Sequence, residues 1–178
     1  MNKLIKLITI LSLPLLIYGC SGIFKDGSTL TLELNLGVDT VEVNAQFLDS
    51  GAIATLEGSP YQKVNVIENT VDTSKVGEYY IVYEVSFGSN TLTQTRYVNV
   101  IDSTPPQLTL KPGIDTILVN QPWTDAFVDV TDNSLLEVDV VTYGHVNTSQ
   151  IGEYEITYVA TDAYGNQSSI TRYVFVIK

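Results

Sequence analysis

Asp129, Asp132 and Asn133 fall in one short stretch of the chain, and Asp162 with Asn166 falls in another further along. Carboxylate and amide oxygens are the hard donors that calcium gathers six to eight at a time. If both stretches are loops at one end of a folded unit, Asp129, Asp132, Asn133 and Asp162 are candidate calcium ligands. Asp125 belongs to the first stretch as well. The plainer reading is that Asp and Asn form turns by bonding their own backbone. At the corresponding places of an earlier, similar stretch stand Ile53, Leu56 and Phe87, so a calcium site would belong to the second half alone. Calcium is the only cofactor these residues suggest, and zinc has no ligand set here.

Catalytic constellations are not supported. His145 is the single histidine and sits in Tyr143-Gly144-His145, a loop signature, so a histidine-based triad has no footing. Twenty acidic residues supply many carboxylates, but no pair stands out as a glycosidase acid and nucleophile. The expectation is a protein that is not an enzyme. Eleven tyrosines suggest a different activity, because aromatic faces stack on sugar rings. Tyr80, Tyr97, Tyr164, Tyr173 and Phe175 point outward by parity, and Tyr164 and Tyr173 are the candidate ligand-binding residues. Exposed aromatic patches mark interfaces, although aromatics on a sheet also serve as ordinary cross-strand pairs.

The elements that must carry these residues are strands. Leu30, Leu32, Leu34 and Leu36 alternate with polar residues, as do Tyr79, Ile81, Tyr83 and Val85, and Tyr154, Ile156, Tyr158 and Ala160. Period two over such runs marks half-buried strands, and Val, Ile, Thr and Tyr favour them. The chain also repeats itself. Residues 71–83 and 146–158 share eight of thirteen positions, TRYVNVI at 95–101 returns as TRYVFVI at 171–177, and GVDTVEVN at 37–44 returns as GIDTILVN at 113–120. Two copies of a unit of about 75 residues follow. The expected core is Leu34, Val41, Val43, Ile81, Tyr83, Val98 and Val100, then Leu110, Ile117, Val119, Ile156, Tyr158, Val174 and Val176. Phe47 and Trp123 align and are expected to plug one end of each copy. Asp49 aligns with Asp125 and Arg96 with Arg172, which predicts an Asp–Arg pair in each copy.

Gly77-Glu78-Tyr79-Tyr80-Ile81 and Gly152-Glu153-Tyr154-Glu155-Ile156 resemble the tyrosine-corner turn of immunoglobulin domains, with Ile in place of the cysteine. With Thr161 to Asn166 and the repeated Thr-Arg-Tyr-Val, the chain is similar to the bacterial immunoglobulin-like repeats of surface adhesins and insecticidal crystal toxins. That resemblance implies an all-β protein of two tandem immunoglobulin-like antiparallel β-sandwiches, each of about seven strands. It also implies corner roles for Tyr79 and Tyr154, and work in adhesion or as structural and interaction modules.

Lys3 and Lys6 precede an apolar run from Leu7 to Ile17, too short to span a bilayer but suited to a secretory signal. Ile17-Tyr18-Gly19-Cys20 resembles the lipobox of bacterial lipoproteins, which implies lipidation of Cys20, the only cysteine. Two acyl chains give stable anchoring where a single chain is marginal. Residues 1–19 are thus expected to be a lipoprotein signal peptide and 20–28 the lipidated Cys with a short tether. The two domains are expected at 29–102 and 103–178. Only Lys3 and Lys6 of the nine basic residues precede Cys20, whereas all twenty acidic ones follow it, so the remainder carries a net charge of −13. Such a surface argues against nucleic acid, whose phosphates demand Lys and Arg. The expected partners are the membrane, through Cys20, and an extracellular protein or polysaccharide. The expected location is the extracytoplasmic face of the cell membrane. The alternative role is a ligand-capture module that binds polysaccharide or protein through loops of the second domain.

Overall fold

The computed structural model describes residues 19–24 and 27–178, so the expected signal segment lies outside the described residues except for Gly19. Fourteen strands and no helix make up the described residues. The first copy contains β1 (Cys20–Ile23), β2 (Thr29–Leu34), β3 (Thr40–Glu42), β4 (Ala52–Leu56), β5 (Ser59–Pro60), β6 (Asn65–Asn69), β7 (Gly77–Phe87) and β8 (Asn90–Ile101). The second contains β9 (Gln107–Leu110), β10 (Thr116–Leu118), β11 (Val128–Thr131), β12 (Asp139–Tyr143), β13 (Gly152–Thr161) and β14 (Gln167–Ile177). The sheets run β1-β2-β4-β5 and β3-β8-β7-β6, then β11-β9 and β10-β14-β13-β12.

Two compact units emerge from backbone proximity. One comprises the described residues up to Gly37 with Asp49–Asn69 and Ile81–Arg96; the other comprises Val38–Leu48, Thr70–Tyr80 and Tyr97–Lys178. The division does not follow the sequence repeat, because β7 and β8 are long enough to run through both.

Alternation decides which face each strand buries. Along β7, Ile81, Tyr83 and Val85 are buried, and along β8 Arg96, Val98 and Val100 are buried. The same parity buries Ile156, Tyr158 and Ala160 on β13 and Arg172, Val174 and Val176 on β14, where the register sets Ile156 opposite Arg172 and Tyr154 opposite Val174. Each fully buried aliphatic side chain contributes about 1.5–3 kcal/mol, which makes these hairpins the main source of cohesion. Leu34, Val41, Leu110 and Val119 are only half-buried. Leu30 and Leu32 are fully buried in its place, because they share its face of β2 but stand further inside the strand, whereas Leu34 is its last residue. Phe47 and Trp123 are likewise half-buried, the indole donating to the Ile114 carbonyl at 2.8 Å.

Two features depart from plain antiparallel sandwiches. β3 runs parallel to β8, pairing Val41 with Val100, and β10 runs parallel to β14, pairing Ile117 with Val176. A period of two is common to parallel and antiparallel strands, so alternation alone could not show this. In each copy the chain changes sheet at a glycine that touches the buried arginine. A Cβ on Gly37 would lie 3.0 Å from Arg96 Nη1, and one on Gly113 would lie 3.0 Å from Arg172 Nη1. The second departure is β1, which pairs antiparallel with β2 and sets Cys20 opposite Leu32 within the segment expected to be a tether.

Candidate functional site

Three strands end one residue before an aspartate: β8 before Asp102, β11 before Asp132 and β13 before Asp162. One carboxylate oxygen from each of these aspartates lies within 4.8 Å of the others. Asp162 is the most buried of the three, at 6% exposure. Its Oδ1 accepts from the backbone N–H of Tyr164 at 2.9 Å and of Asn166 at 2.8 Å, and its Oδ2 accepts from Asn166 Nδ2 at 2.7 Å. Asp132 Oδ1 accepts from the Ser134 N–H at 2.9 Å and from the Ser134 hydroxyl. Asp102 Oδ1 accepts from the Thr104 N–H at 3.2 Å. The Oδ2 atoms of Asp102 and Asp132 are buried with no donor.

Neighbouring polar groups close around this cluster. Asn133 Nδ2 donates to Glu42 Oε2 at 3.5 Å, and its Oδ1 is buried with no donor. Glu42 also accepts from the N–H and hydroxyl of Ser103. Asn166 Nδ2 donates to the Asp102 carbonyl at 3.2 Å. Burial pushes the Asp102 carboxyl above its ordinary pKa, and the charges of Asp132, Asp162 and Glu42 push the same way, against the Thr104 N–H. All these residues belong to the second compact unit.

The candidate ligands thus separate. Asp132 and Asp162 come together, with Asn133 beside Asp132. Asp129 does not join them: it is 70% exposed and pairs with Lys111 Nζ at 3.3 Å, because parity on β11 turns it to solvent. Asp125 is engaged elsewhere, as described below. Asp102 is the member of the cluster that sequence reasoning missed. Its signal was positional, an aspartate directly after a strand, as in Thr131-Asp132 and Thr161-Asp162. Tyr164 and Tyr173 are both exposed, one in the β13–β14 turn and one within β14. At a strand rise of about 3.4 Å per residue they stand roughly 20 Å or more apart, so they cannot grip the same sugar ring. Cys20 opens β1 and is half-buried, and His145 is exposed on the loop after β12.

A second polar cluster occurs once in each copy. Arg96 Nη2 donates to the carbonyls of Asn35 at 2.6 Å and Gly51 at 3.1 Å, and its Nε lies 3.5 Å from Asp49 Oδ1. Tyr83 donates its hydroxyl to the same Asp49 oxygen. Arg172 repeats the arrangement with the carbonyls of Lys111 and Phe127, with Asp115 Oδ1 at 2.6 Å and with Asp125 Oδ1 at 3.9 Å, while Tyr158 donates to Asp125. Each arginine therefore ties its own strand to the chain flanking β2 and β4, or β9 and β11. Burial alone would lower the pKa of Arg172, but Asp115 and Tyr158 outweigh it and hold the guanidinium above its ordinary value. Tyr79 and Tyr154 donate to the carbonyls of Lys75 at 2.8 Å and Gln150 at 2.9 Å, each four residues upstream. That is tyrosine-corner geometry.

Residues 37–100 and 113–176 match the family described as bacterial surface protein, Ig-like domain. The chain belongs to this family. It carries two tandem Ig-like modules of the bacterial surface type, and the match covers Asp132 and Asp162 but stops short of Asp102. Among curated relatives, the pesticidal crystal protein Cry22Aa of Bacillus thuringiensis is 31% identical over 127 residues, which covers 65% of this chain and 17% of that protein. The chain therefore spans about a sixth of that relative's length. Among solved structures, a lipoprotein of Bacteroides thetaiotaomicron aligns over 83% of this chain and 80% of its own at 15% identity, with a TM-score of 0.37. In the Ig-like modules here, the buried Arg–Asp–Tyr clusters tie the strands of each module together.

Proposed function

We propose that the protein is a non-enzymatic lipoprotein, anchored through Cys20 on the extracytoplasmic face of the cell membrane. Its two Ig-like modules serve there in adhesion or as structural and interaction modules of the envelope. The observation that carries this reading is the sequence Ile17-Tyr18-Gly19-Cys20, holding the only cysteine, directly ahead of two repeats of a surface-protein family. Radiolabelled palmitate fed to expressing cells tests it. The wild-type chain is expected to carry label and to partition with membranes, and Cys20→Ser to do neither. Label retained in Cys20→Ser, or a wild-type chain shielded from protease added to envelope-permeabilised cells, would count against the proposal.

A ligand-capture role for the second module is favoured by the exposed rings of Tyr164 and Tyr173. Because these rings are well separated, an extended polysaccharide or a protein surface fits better than a small sugar. Saccharide binding on a glycan array that Tyr164→Ala or Tyr173→Ala abolishes would favour this second reading over the first.

A further inference from the structure

The Asp102–Asp132–Asp162 cluster is built in a way that turns alone do not require. Each carboxylate has one oxygen fixed by backbone N–H groups: Thr104 for Asp102, Ser134 for Asp132, and Tyr164 with Asn166 for Asp162. Those bonds orient the carboxylates and leave Oδ2 of Asp102 and of Asp132 buried without a donor. The amide oxygen of Asn133 is buried in the same condition. Buried polar atoms nearly always have a partner, so three orphaned oxygens in one small region are a signal in themselves. Each ion pair seen at an arginine or lysine uses a different carboxylate, at Asp49, Asp72, Asp115, Asp125 or Asp129, so among the described residues no cation is seen bonded to the three.

We propose that Asp102, Asp132 and Asp162, with the amide oxygen of Asn133, form a binding site for a hard divalent cation of the calcium type. A cation would satisfy the orphaned oxygens and neutralise the mutual repulsion of three carboxylates in one step. The donor set is all oxygen, which excludes the soft-ligand metals. The ligands come from three separate loops, which suits calcium's adaptable shell better than the near-ideal octahedron that magnesium demands. Glu42 and Asn166 act one shell out. Glu42 holds Ser103 and the Asn133 amide nitrogen, and Asn166 links the Asp102 carbonyl to Asp162. The bound ion would pin the chain after β8 to the loops after β11 and β13, all within the second compact unit.

The test uses the full chain, purified in detergent and stripped with EGTA. Calcium chloride and magnesium chloride are titrated separately to about 10 mM, since extracellular oxygen-ligand sites bind calcium at roughly 10⁻⁴ to 10⁻³ M. Thermal melting and calorimetry are the readouts. Calcium is expected to raise Tm saturably, and magnesium to do so much less. Asp102→Asn and Asp132→Asn keep the shape and the accepting oxygen. In EGTA they should melt no lower than wild type, because repulsion is relieved, while binding calcium at least about tenfold more weakly. Asp129→Asn, at the Lys111 pair, should respond as wild type does. A wild-type melt indifferent to calcium would overturn the proposal. So would a calcium shift that survives both Asp102→Asn and Asp132→Asn, or magnesium matching calcium.

Discussion

Tyr83 and Tyr158 hold their phenol protons well beyond the usual range, each raised from 10.0 to about 12 by burial first and by the bond to Asp49 or Asp125 second. In the unfolded chain the same phenols release their protons near 10. Between pH 10 and 12 the unfolded state therefore binds fewer protons than the folded one, and stability falls as pH rises through that window. Below pH 10 this contribution is complete. Phenolate absorbance should show two tyrosines titrating with or just after unfolding; Tyr83 and Tyr158 ionising near pH 10 in a folded chain would contradict it. Arg172 is 2% exposed and serves Asp115, Asp125 and two carbonyls, so Arg172→Met should cost about 3 kcal/mol in urea denaturation by stranding those acceptors. An unchanged midpoint would show that the cluster contributes nothing. The Asp–Arg pairs and the corner tyrosines were legible in the sequence because each occurs twice at matching positions. Asp102 was not, since its partners lie far along the chain and only folding brings the three loop starts together.

Among the strands, the long hairpins were the clearest to read from alternation, and the short ones were the least. β3 and β10 have three residues each, too few to read as strands, and alternation carries no direction in any case, so their parallel pairing was not legible. β1 escaped because Cys20–Ile23 mixes small and apolar residues and reads as a spacer. Loops impose requirements of their own. Gly144, after β12, has φ +94, and a Cβ there would lie 2.1 Å from the Glu155 carbonyl oxygen on β13. Gly165, in the β13–β14 turn, has φ +92 but open space around it. Gly144→Ala should therefore cost several times more than Gly165→Ala, for which about 1–2 kcal/mol of backbone strain is expected. Comparing the two melting temperatures checks this directly. Equal losses would mean that the β12–β13 loop yields readily.

For the molecule as a whole, duplication was the most legible property, and the family match begins at the same glycine in each copy, Gly37 and Gly113. What the copies do not share is informative. The carboxylate cluster draws Asp132 and Asp162 from the second copy and Asp102 from the residue after β8, so among the described residues it occurs once. The parallel pairing, by contrast, occurs in both. Consider a tug applied along the chain. Early and late strands of each copy lie side by side and point the same way, so the pull drags them past one another lengthwise. Their backbone bonds, including Val119 N–H to the Ile177 carbonyl and Phe175 N–H to the Asp115 carbonyl, must then yield together rather than unzip singly. Single-molecule stretching should show high rupture forces, and Val119→Pro, which deletes one of those donors, should lower them in one copy only. A fold wired in this manner is suited to bearing mechanical load.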